Sequence, residues 1–291
     1  MRFAFIDAEK AVYPVSKLCR ALQVSRSGYY AWRHWSPSAR EVADARLGVL
    51  VREAFERSRR TYGSPRVHAE LGAKGIRVSR KRIVRLMQRQ ELVARVRRRY
   101  RSTTMSEHDQ PVAANILARD FAADGPNRRW VGDTTELDAG GLRLFLAAVL
   151  DLYSRFVVGW AVGLVNDRHL VLRALDMALR RRGPDAGLLH HSDQGSPYAS
   201  EDYQHVLRAR GITCSMSRRG DCFDNAAMES WFSTLKFELG ERFDSPAHAK
   251  AELFDYIEVF YNQQRRHSTL GQRSPADHER AFWERQVALA A

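Results

Sequence analysis

Beyond residue 128, apolar segments typical of β-strands alternate with amphipathic helical segments, and the order of these elements limits the possible folds. β-Branched and other apolar residues predict strands over 129–137, 143–152, 155–164, 187–191 and 212–214. Apolar residues at helical spacing predict helices over 167–182, 200–210 and 225–239, and a last helix over 246–261. The order β-β-β-α-β-α-β-α predicts an α/β domain with a mixed sheet and flanking helices.

The charge of the chain is divided unevenly between its two parts. Residues 1–126 hold 26 Lys and Arg against 12 Asp and Glu, whereas residues 127–291 hold 21 against 22. The whole formal excess of +13 therefore lies in the first part. Such an excess predicts a polyanionic partner, either nucleic acid or an anionic membrane surface, and a well-solvated basic face is the alternative.

Nothing in the sequence predicts a membrane protein or a secreted one. The longest apolar runs, 144–150 and 156–165, are too short to span a bilayer, and charges interrupt the first ten residues. Cys19, Cys214 and Cys222 are far apart and form neither a disulfide framework nor a CxxC zinc motif. We therefore expect a cytoplasmic protein that binds nucleic acid.

Two helical pairs are predicted within the basic part. Residues 14–35 form two short helices, with Ser25 or Ser27 as N-cap of the second. This pattern is typical of a helix-turn-helix, which places its second helix in the major groove, and equally of an ordinary helical hairpin. Residues 61–92 form a second such pair, with Ser79 capping its second helix.

The second helix of residues 61–92 has a basic face opposite its apolar one. The basic face carries Arg80, Lys81, Arg82 and Arg85. These cations either contact DNA phosphates or form a solvated surface. The arginine-rich stretch from Arg95 to Arg101 favours DNA, and residues 102–126 lack periodicity, which predicts a linker.

Three carboxylates occupy positions from which a sheet and a helix can bring them together. Asp133 lies in the first predicted strand, Asp193 follows the fourth, and Glu229 lies in the helix over 225–239. Asn225, Glu229, Ser233 and Lys236 share one face of that helix. The neighbouring face is predicted to be a buried apolar stripe of Met228, Phe232, Leu235 and Leu239. Three carboxylates in one cleft repel each other unless cations offset the repulsion, and Mg²⁺ prefers such hard oxygen ligands. Taken singly, each acid also fits an ordinary turn or cap.

Several sequence motifs in residues 61–280 resemble a known family. The motifs are TYGSPRVHAEL, WVGDTTEL, DLYSRFVVGWA, HSDQGSPYAS, RRGDCFDNAAMESWFSTLKFE and YNQQRRHSTLGQRSPADHE. Their order, with 35 residues between Asp193 and Glu229, resembles the retroviral-integrase-like transposases. It is closer still to the second-reading-frame product of the bacterial insertion-sequence transposases of the IS-three group.

The resemblance implies a ribonuclease-H-like integrase core that hydrolyses DNA and transfers strands with Mg²⁺, for which Mn²⁺ can substitute. It implies that Asp133, Asp193 and Glu229 hold two ions. It also implies that Lys236 contacts the terminal DNA of the element. Asn225 and His191 are candidates for supporting the metal ligands, with a helix cap and a turn contact as the alternatives.

The resemblance also implies partners and a domain plan. We expect double-stranded DNA, a homo-oligomer on that DNA, an upstream-frame partner or fusion, and a bacterial nucleoid location. The expected domains are a basic helical DNA-binding region over 1–101, a linker over 102–126, the catalytic core over 127–240 and a helical tail over 241–291. Two rival functions are a nuclease that does not join strands and a catalytically silent DNA-binding regulator.

Overall fold

A computed structural model describes residues 1–34, 36–95, 111–218 and 222–290. Most of the arginine-rich stretch that follows Arg95, and the predicted linker up to residue 110, lie outside this description. The helices are α1 Arg2–Glu9, α2 Val15–Ala21, α3 Arg26–Arg33, α4 Ala39–Arg57, α5 Ser64–Ala73, α6 Arg80–Arg89, α7 Arg168–Arg182, α8 Ser196–Ala199, α9 Glu201–Ala209, α10 Ala226–Glu238, α11 Pro246–Phe254 and α12 Pro275–Ala290. The strands are β1 Arg129–Ala139, β2 Leu142–Asp151, β3 Val157–Gly163, β4 Leu189–Ser192, β5 Thr213–Met216 and β6 Arg242–Phe243.

The strands form one mixed sheet with β1 at its centre. The order is β3-β2-β1-β4-β5, and β6 pairs with the far end of β1. Strand β1 is antiparallel to β2 and parallel to β4 and β6, which confirms the predicted α/β sheet. The sequence did not predict β6, because a two-residue strand has no detectable periodicity.

Successive side chains of β1 point to opposite faces of the sheet, and each face has its own set of core residues. Trp130 packs with the residues that α7 and α9 bury, whereas Val131 packs with those of α10 and α11. Side chains two residues apart on a strand share a face. Asp133 therefore points to the same face of the sheet as Val131, the face that α10 covers.

Helix α7 lies unusually close to strand β3. A Cβ atom added at Gly159 would lie 2.2 Å from the carbonyl oxygen of Ala174 and 2.7 Å from the backbone nitrogen of Ala178. Only glycine allows this approach of helix to strand, since any larger residue would have to displace the helix backbone.

The first predicted helical pair is present as α2 and α3. The Ser25 side chain caps α3 by accepting a hydrogen bond of 3.0 Å from the backbone N–H of Gly28. An additional helix, α1, closes a small core of Ile6, Cys19 and Tyr29. The N-terminal segment is therefore a three-helix unit with its own core.

The second pair, α5 and α6, packs with the unpredicted helix α4 and contacts the C-terminal part of the chain. Its apolar residues belong to the same core as those of α10 and α11. The backbone N–H of Arg266 donates to the Tyr62 hydroxyl at 2.7 Å, and the Arg266 side chain pairs with Glu70 at 2.9 Å. This helical unit is thus packed against the α/β domain through the C-terminal segment.

The predicted last helix changes its winding midway. Helix α11 ends at Phe254 and a π-helix continues over Asp255–Tyr261. The buried aromatic residues of the π-helix complete the core beneath β2 and β3. Across the described ranges, none of the helices is both long and apolar enough to cross a bilayer.

Candidate active site on the central strand

Asp133 lies on β1 and Asp193 directly follows β4, the parallel neighbour of β1. The last registered pair between these strands is Val131 with His191, and each acid lies two residues further on. Both side chains are half-buried. Asp133 Oδ1 accepts a hydrogen bond of 2.7 Å from the backbone N–H of Thr134.

A tight turn holds Asp193 in place at the end of β4. Its Oδ1 atom accepts a hydrogen bond of 2.9 Å from the backbone N–H of Gly195. A Cβ atom at position 195 would lie 2.9 Å from the same oxygen, so a larger residue there would shift the Asp193 carboxylate. Asp193 therefore lies in an ordinary turn, the alternative given for each acid in the sequence. That turn also places it beside β1.

Glu229 lies at the exposed side of α10, one turn after the helix begins. Met228, Phe232 and Leu235 are buried, which confirms the predicted apolar stripe. Asn225 precedes the helix and its Nδ2 donates to the carbonyl oxygen of Gly132 at 3.4 Å. The start of α10 is thus joined to the residue next to Asp133.

The electrostatics show that the three acids act on one another. Burial raises the pKa of Asp133 well above its usual value, and the negative charges of Asp193 and Glu229 raise it further. The hydrogen bond from Thr134 opposes this rise only in part. The charges of Asp133 and Asp193 also add to the rise that burial and Tyr203 cause in the pKa of Tyr198. The charges of Asp193, in a turn, and of Glu229, on a helix, therefore both act on Asp133 of the central strand.

The chemistry of these side chains fits a divalent cation. Among residues that the structure describes, no three His, Cys, Asp or Glu side chains already stand in a metal-binding arrangement. The three acids nevertheless offer only hard carboxylate oxygens, the ligands that Mg²⁺ prefers together with water. A divalent cation would also offset the charge repulsion that raises the pKa of Asp133.

Lys236 lies two turns beyond Glu229 on α10 and is half-buried. Its Nζ lies 3.6 Å from Glu241 Oε2. The pKa of Glu136 is lowered mainly by its hydrogen bond to Arg143, and the charge of Lys236 adds to that effect. Lys236 is therefore close to the second half of β1, further along the sheet than Asp133.

The His191 side chain forms hydrogen bonds to one serine in β5 and to one just after it. It is fully buried in β4, with Nδ1 2.8 Å from Ser215 Oγ and Nε2 3.1 Å from Ser217 Oγ. Burial lowers its pKa to about 4, so the ring is neutral at physiological pH. Asn225, by contrast, is the N-cap residue of α10, but its side chain forms no capping hydrogen bond to the helix. Its Nδ2 donates to the Gly132 carbonyl of β1 instead.

Asp224 was not singled out from the sequence, although it lies within the motif GDCFDN. It is fully buried and accepts hydrogen bonds from Asn115, Arg119 and Arg218. The bonds from Arg218 hold the pKa of Asp224 well below its usual value, and those from Arg119 add to the effect. A buried acid in a polar motif has no periodic signal, so only the tertiary structure identifies this one.

Comparison with known proteins agrees with this geometry. Two models described as "Integrase core domain" match residues 123–222 and 210–275, and a model described as "HTH-like domain" matches residues 41–100. The chain is 44% identical over 276 residues to the insertion element IS600 uncharacterized 31 kDa protein of Shigella sonnei, covering 94% of this chain and 100% of that protein. It is 40% identical over 283 residues to the transposase InsF for insertion sequence IS3A of Escherichia coli strain K12, covering 96% and 98%.

The chain belongs to the IS3 family of transposases. Among solved structures, the catalytic core domain of HTLV-2 integrase in complex with magnesium matches with a TM-score of 0.44 at 16% identity. That match covers 54% of this chain and 99% of the other. The integrase-core family models and the mixed sheet establish the integrase core fold and confirm the predicted family.

The basic face of α6 in this IS3-family chain contains exposed residues and one half-buried residue that has an acidic partner. Arg80, Lys81 and Arg85 are exposed. Arg82 is half-buried, and its Nε lies 2.5 Å from Oδ1 of the buried Asp44 of α4. Arg82 therefore has a structural partner that its position on a basic helix face did not reveal.

Part of the C-terminal motif that begins at Tyr261 packs on the core. Asn262 accepts a hydrogen bond from the backbone N–H of Val157 at 2.9 Å and donates to its carbonyl at 3.1 Å, which satisfies the edge of β3. Arg265 pairs with the buried Glu238 at 2.7 Å. Asp151 is the last residue of β2, and at the start of the β2–β3 turn it accepts a hydrogen bond of 2.9 Å from the backbone N–H of Ser154.

Proposed function

We propose that this IS3-family chain cleaves DNA at the ends of its element and joins the freed 3′-hydroxyl to a second phosphodiester. Asp133, Asp193 and Glu229 would hold two Mg²⁺ ions, for which Mn²⁺ can substitute. The observation that carries the proposal is the placement of Asp133 and Asp193 on neighbouring parallel strands, each two residues beyond the last registered pair. The charges of Asp193 and Glu229 add to the rise that burial causes in the pKa of Asp133. Three carboxylates that repel one another in this way are costly to a fold unless they bind cations.

The reaction needs charge stabilisation at two oxygens. Two divalent ions held by the three acids would supply charge stabilisation at the attacking and the leaving oxygen of a phosphodiester displacement. Within the chain, the sheet keeps Asp133 rigid and the Gly195 turn orients Asp193. Glu229 is exposed on α10, where a DNA phosphate can approach it. Water attacks first and the freed 3′-hydroxyl attacks second, so no covalent protein–DNA intermediate is needed.

DNA binding would use basic surfaces on two elements. Lys236 lies on the same helix as Glu229 and would meet DNA that runs along α10 past the acids. On α6, we assign phosphate contacts to the exposed Arg80, Lys81 and Arg85. Arg82 is assigned to the stability of the helical unit because of its bond to Asp44.

The domain plan and the assembly are part of the same proposal. Helices of residues 1–101 would bind DNA, residues 127–240 would carry out catalysis, and residues 241–291 would join the two by packing. Two element ends must be brought together for strand transfer, so we propose a homo-oligomer on DNA. An upstream-frame partner or fusion would add specific recognition of the ends.

The test is a nicking and strand-transfer assay on labelled duplexes of the element's own ends with Mg²⁺ or Mn²⁺. Wild type is compared with Glu229→Gln and with a control variant, Glu284→Gln, which alters an exposed glutamate of α12. We expect metal-dependent nicked and joined products from wild type and the control, and none from Glu229→Gln. DNA binding measured by gel shift should be equal in all three proteins.

Other outcomes of the assay would favour the rival functions. Nicked products without joined strands would favour a nuclease. DNA binding without any metal-dependent product, both alone and fused to the upstream frame, would favour a catalytically silent regulator. Joined products from Glu229→Gln at the wild-type rate would refute the assignment of the acids.

A further inference from the structure

A short segment outside the sheet is hydrogen-bonded to strand β5. Residues 114–119, here called the strap, precede the α/β domain. The backbone N–H groups of Ile116 and Leu117 both donate to Ser215 Oγ, at 2.9 and 3.1 Å. Leu117 is buried in the main core at 1% exposure, so the strap is packed as well as hydrogen-bonded.

The bonds of Ser215 continue through His191 to the residue before Asp193. Because both lone pairs of Ser215 Oγ accept from the strap, its hydroxyl proton must be donated to His191 Nδ1. The proton of the neutral ring then lies on Nε2 and is donated to Ser217 Oγ. Ser217 in turn donates to the carbonyl oxygen of Ser192 at 3.3 Å. One continuous chain of hydrogen bonds therefore links the strap to the backbone beside Asp193.

Asp224 fastens the same strap to the start of α10. Its carboxylate accepts from Asn115 Nδ2 at 2.8 Å and Arg119 Nε at 2.9 Å, both on the strap. It also accepts from Arg218 through the backbone N–H at 3.0 Å and through Nε at 3.0 Å and Nη2 at 3.1 Å. The next residue, Asn225, is bonded to β1 beside Asp133, and Glu229 follows one turn later.

We propose that Asp224 is a positioning residue, and that with the strap it forms a clamp that sets Asp193 and Glu229 relative to Asp133. The proposal rests on the proposed function of these three acids. The metal ligands come from separate elements, and groups that orient metal ligands change metal affinity and activity when they are altered. The clamp acts on Asp193 and Glu229, the two proposed ligands outside the central strand. One lies in a turn and the other on a helix, so their positions relative to Asp133 depend on contacts outside β1.

The variant Asp224→Asn separates this role from stability. Asparagine keeps the size of the side chain but replaces one acceptor oxygen by an NH₂ group, which faces N–H donors of Arg119 and Arg218. The control is Asp151→Asn, which alters another fully buried aspartate that accepts several N–H bonds, in the β2–β3 turn. Asn115→Ala is a milder second variant, since it leaves the carboxylate in place. It removes the bond from Asn115 Nδ2 to Asp224 and the bond within the strap that Asn115 Oδ1 accepts from the backbone N–H of Ala118.

The experiment measures three quantities on the full chain: Tm without metal, Mn²⁺ affinity by electron paramagnetic resonance of the unbound ion, and the single-turnover nicking rate. We expect Asp224→Asn to lose at least about tenfold in both Mn²⁺ affinity and rate. Asn115→Ala should lose less, in the same direction. Asp151→Asn should lower Tm, because it alters a buried hydrogen-bonded acid. Its Mn²⁺ affinity and nicking rate should stay within about twofold of wild type, because Asp151 orients none of the proposed metal ligands.

The results distinguish failure of the clamp from failure of the proposed function. Wild type that neither binds Mn²⁺ nor nicks DNA would refute the proposed function, and the clamp with it. If wild type is active, the clamp alone is overturned when Asp224→Asn and Asn115→Ala both match Asp151→Asn. The two values compared are the Mn²⁺ affinity and the nicking rate. If Asp224→Asn does not fold, Asn115→Ala decides by the same two readouts.

Discussion

Replacing Arg265 by methionine would leave a buried carboxylate at the end of α10 without its main partner. Glu238 is 3% exposed and Arg265 is 5% exposed. Two hydrogen bonds of 2.7 Å join them, and the Tyr256 hydroxyl donates to Glu238 at 2.9 Å. Burial by itself would lower the pKa of Arg265, but its hydrogen bonds and attraction to Glu238 raise the pKa above the usual value. The arginine is therefore charged at every accessible pH.

The expected loss follows from what remains around Glu238. Removing one partner of a buried ion pair costs about 3–5 kcal/mol of unfolding free energy, because the other charge stays buried. Glu238 would keep the Tyr256 hydroxyl, and Arg66 Nη1 lies 3.9 Å from its Oε1. We therefore expect about 3 kcal/mol for Arg265→Met, at the lower end of that range. In a chain of this size, 1 kcal/mol corresponds to a Tm change of about 2–4 °C, so Tm should fall by about 6–12 °C.

The assay is urea denaturation of the metal-free protein with a double-mutant cycle. Arg265→Met, Glu238→Gln and the double variant are compared with wild type, and the double variant should lose less than the sum of the two singles. The control is Arg208→Met, which breaks an exposed ion pair with Glu201 and should cost less than about 1 kcal/mol. A cost for Arg265→Met no larger than that of the control would refute the reasoning.

Three further predictions follow from the same structure. Burial, with Arg265 close by, lowers the pKa of His267 to about 2, against about 6.5 in the unfolded chain. The folded state thus binds fewer protons, so stability is fully present above pH 6.5 and falls by up to about 1.4 kcal/mol per pH unit below it. In urea titrations between pH 7 and 5, His267→Gln should reduce that slope, and an unchanged slope would contradict the assignment. Gly159→Ala should lose about 1–3 kcal/mol by forcing α7 away from β3, whereas Gly72→Ala, which meets open space within α5, should gain up to about 1 kcal/mol in the same denaturation assay. Lys81→Ala should weaken DNA binding equally for all sequences and reduce the slope of log affinity against log salt by about 1 in gel shifts, and an unchanged slope would remove Lys81 from the DNA contacts.

Several features could be predicted from the sequence because they depend on local patterns. Strand alternation and helical spacing predicted five of the six strands of the sheet and their order along the chain, and the structure confirms the mixed α/β arrangement. Spacing on one helix predicted that Glu229 lies beside the buried stripe of Met228, Phe232 and Leu235. Motif order predicted the IS3 family, which the relatives confirm.

Other features depend on contacts between residues far apart in the chain. The bond between Arg82 and Asp44 spans 38 positions, and the bonds that fasten the strap to Ser215 and Asp224 span 98 to 109 positions. No periodic pattern encodes such pairs, because each side chain meets its partner only after the chain has folded.

The sequence by itself indicated the family and the order of most strands and helices of the α/β domain, and it supplied the three acids of the proposed site. Only the tertiary structure decided which charged residues face solvent and which are buried with a partner. The physical reason is that burial of a charge depends on everything packed around it. Arg265 and Arg80 are both arginines in basic stretches, yet the first holds the core together and the second is exposed on a helix surface.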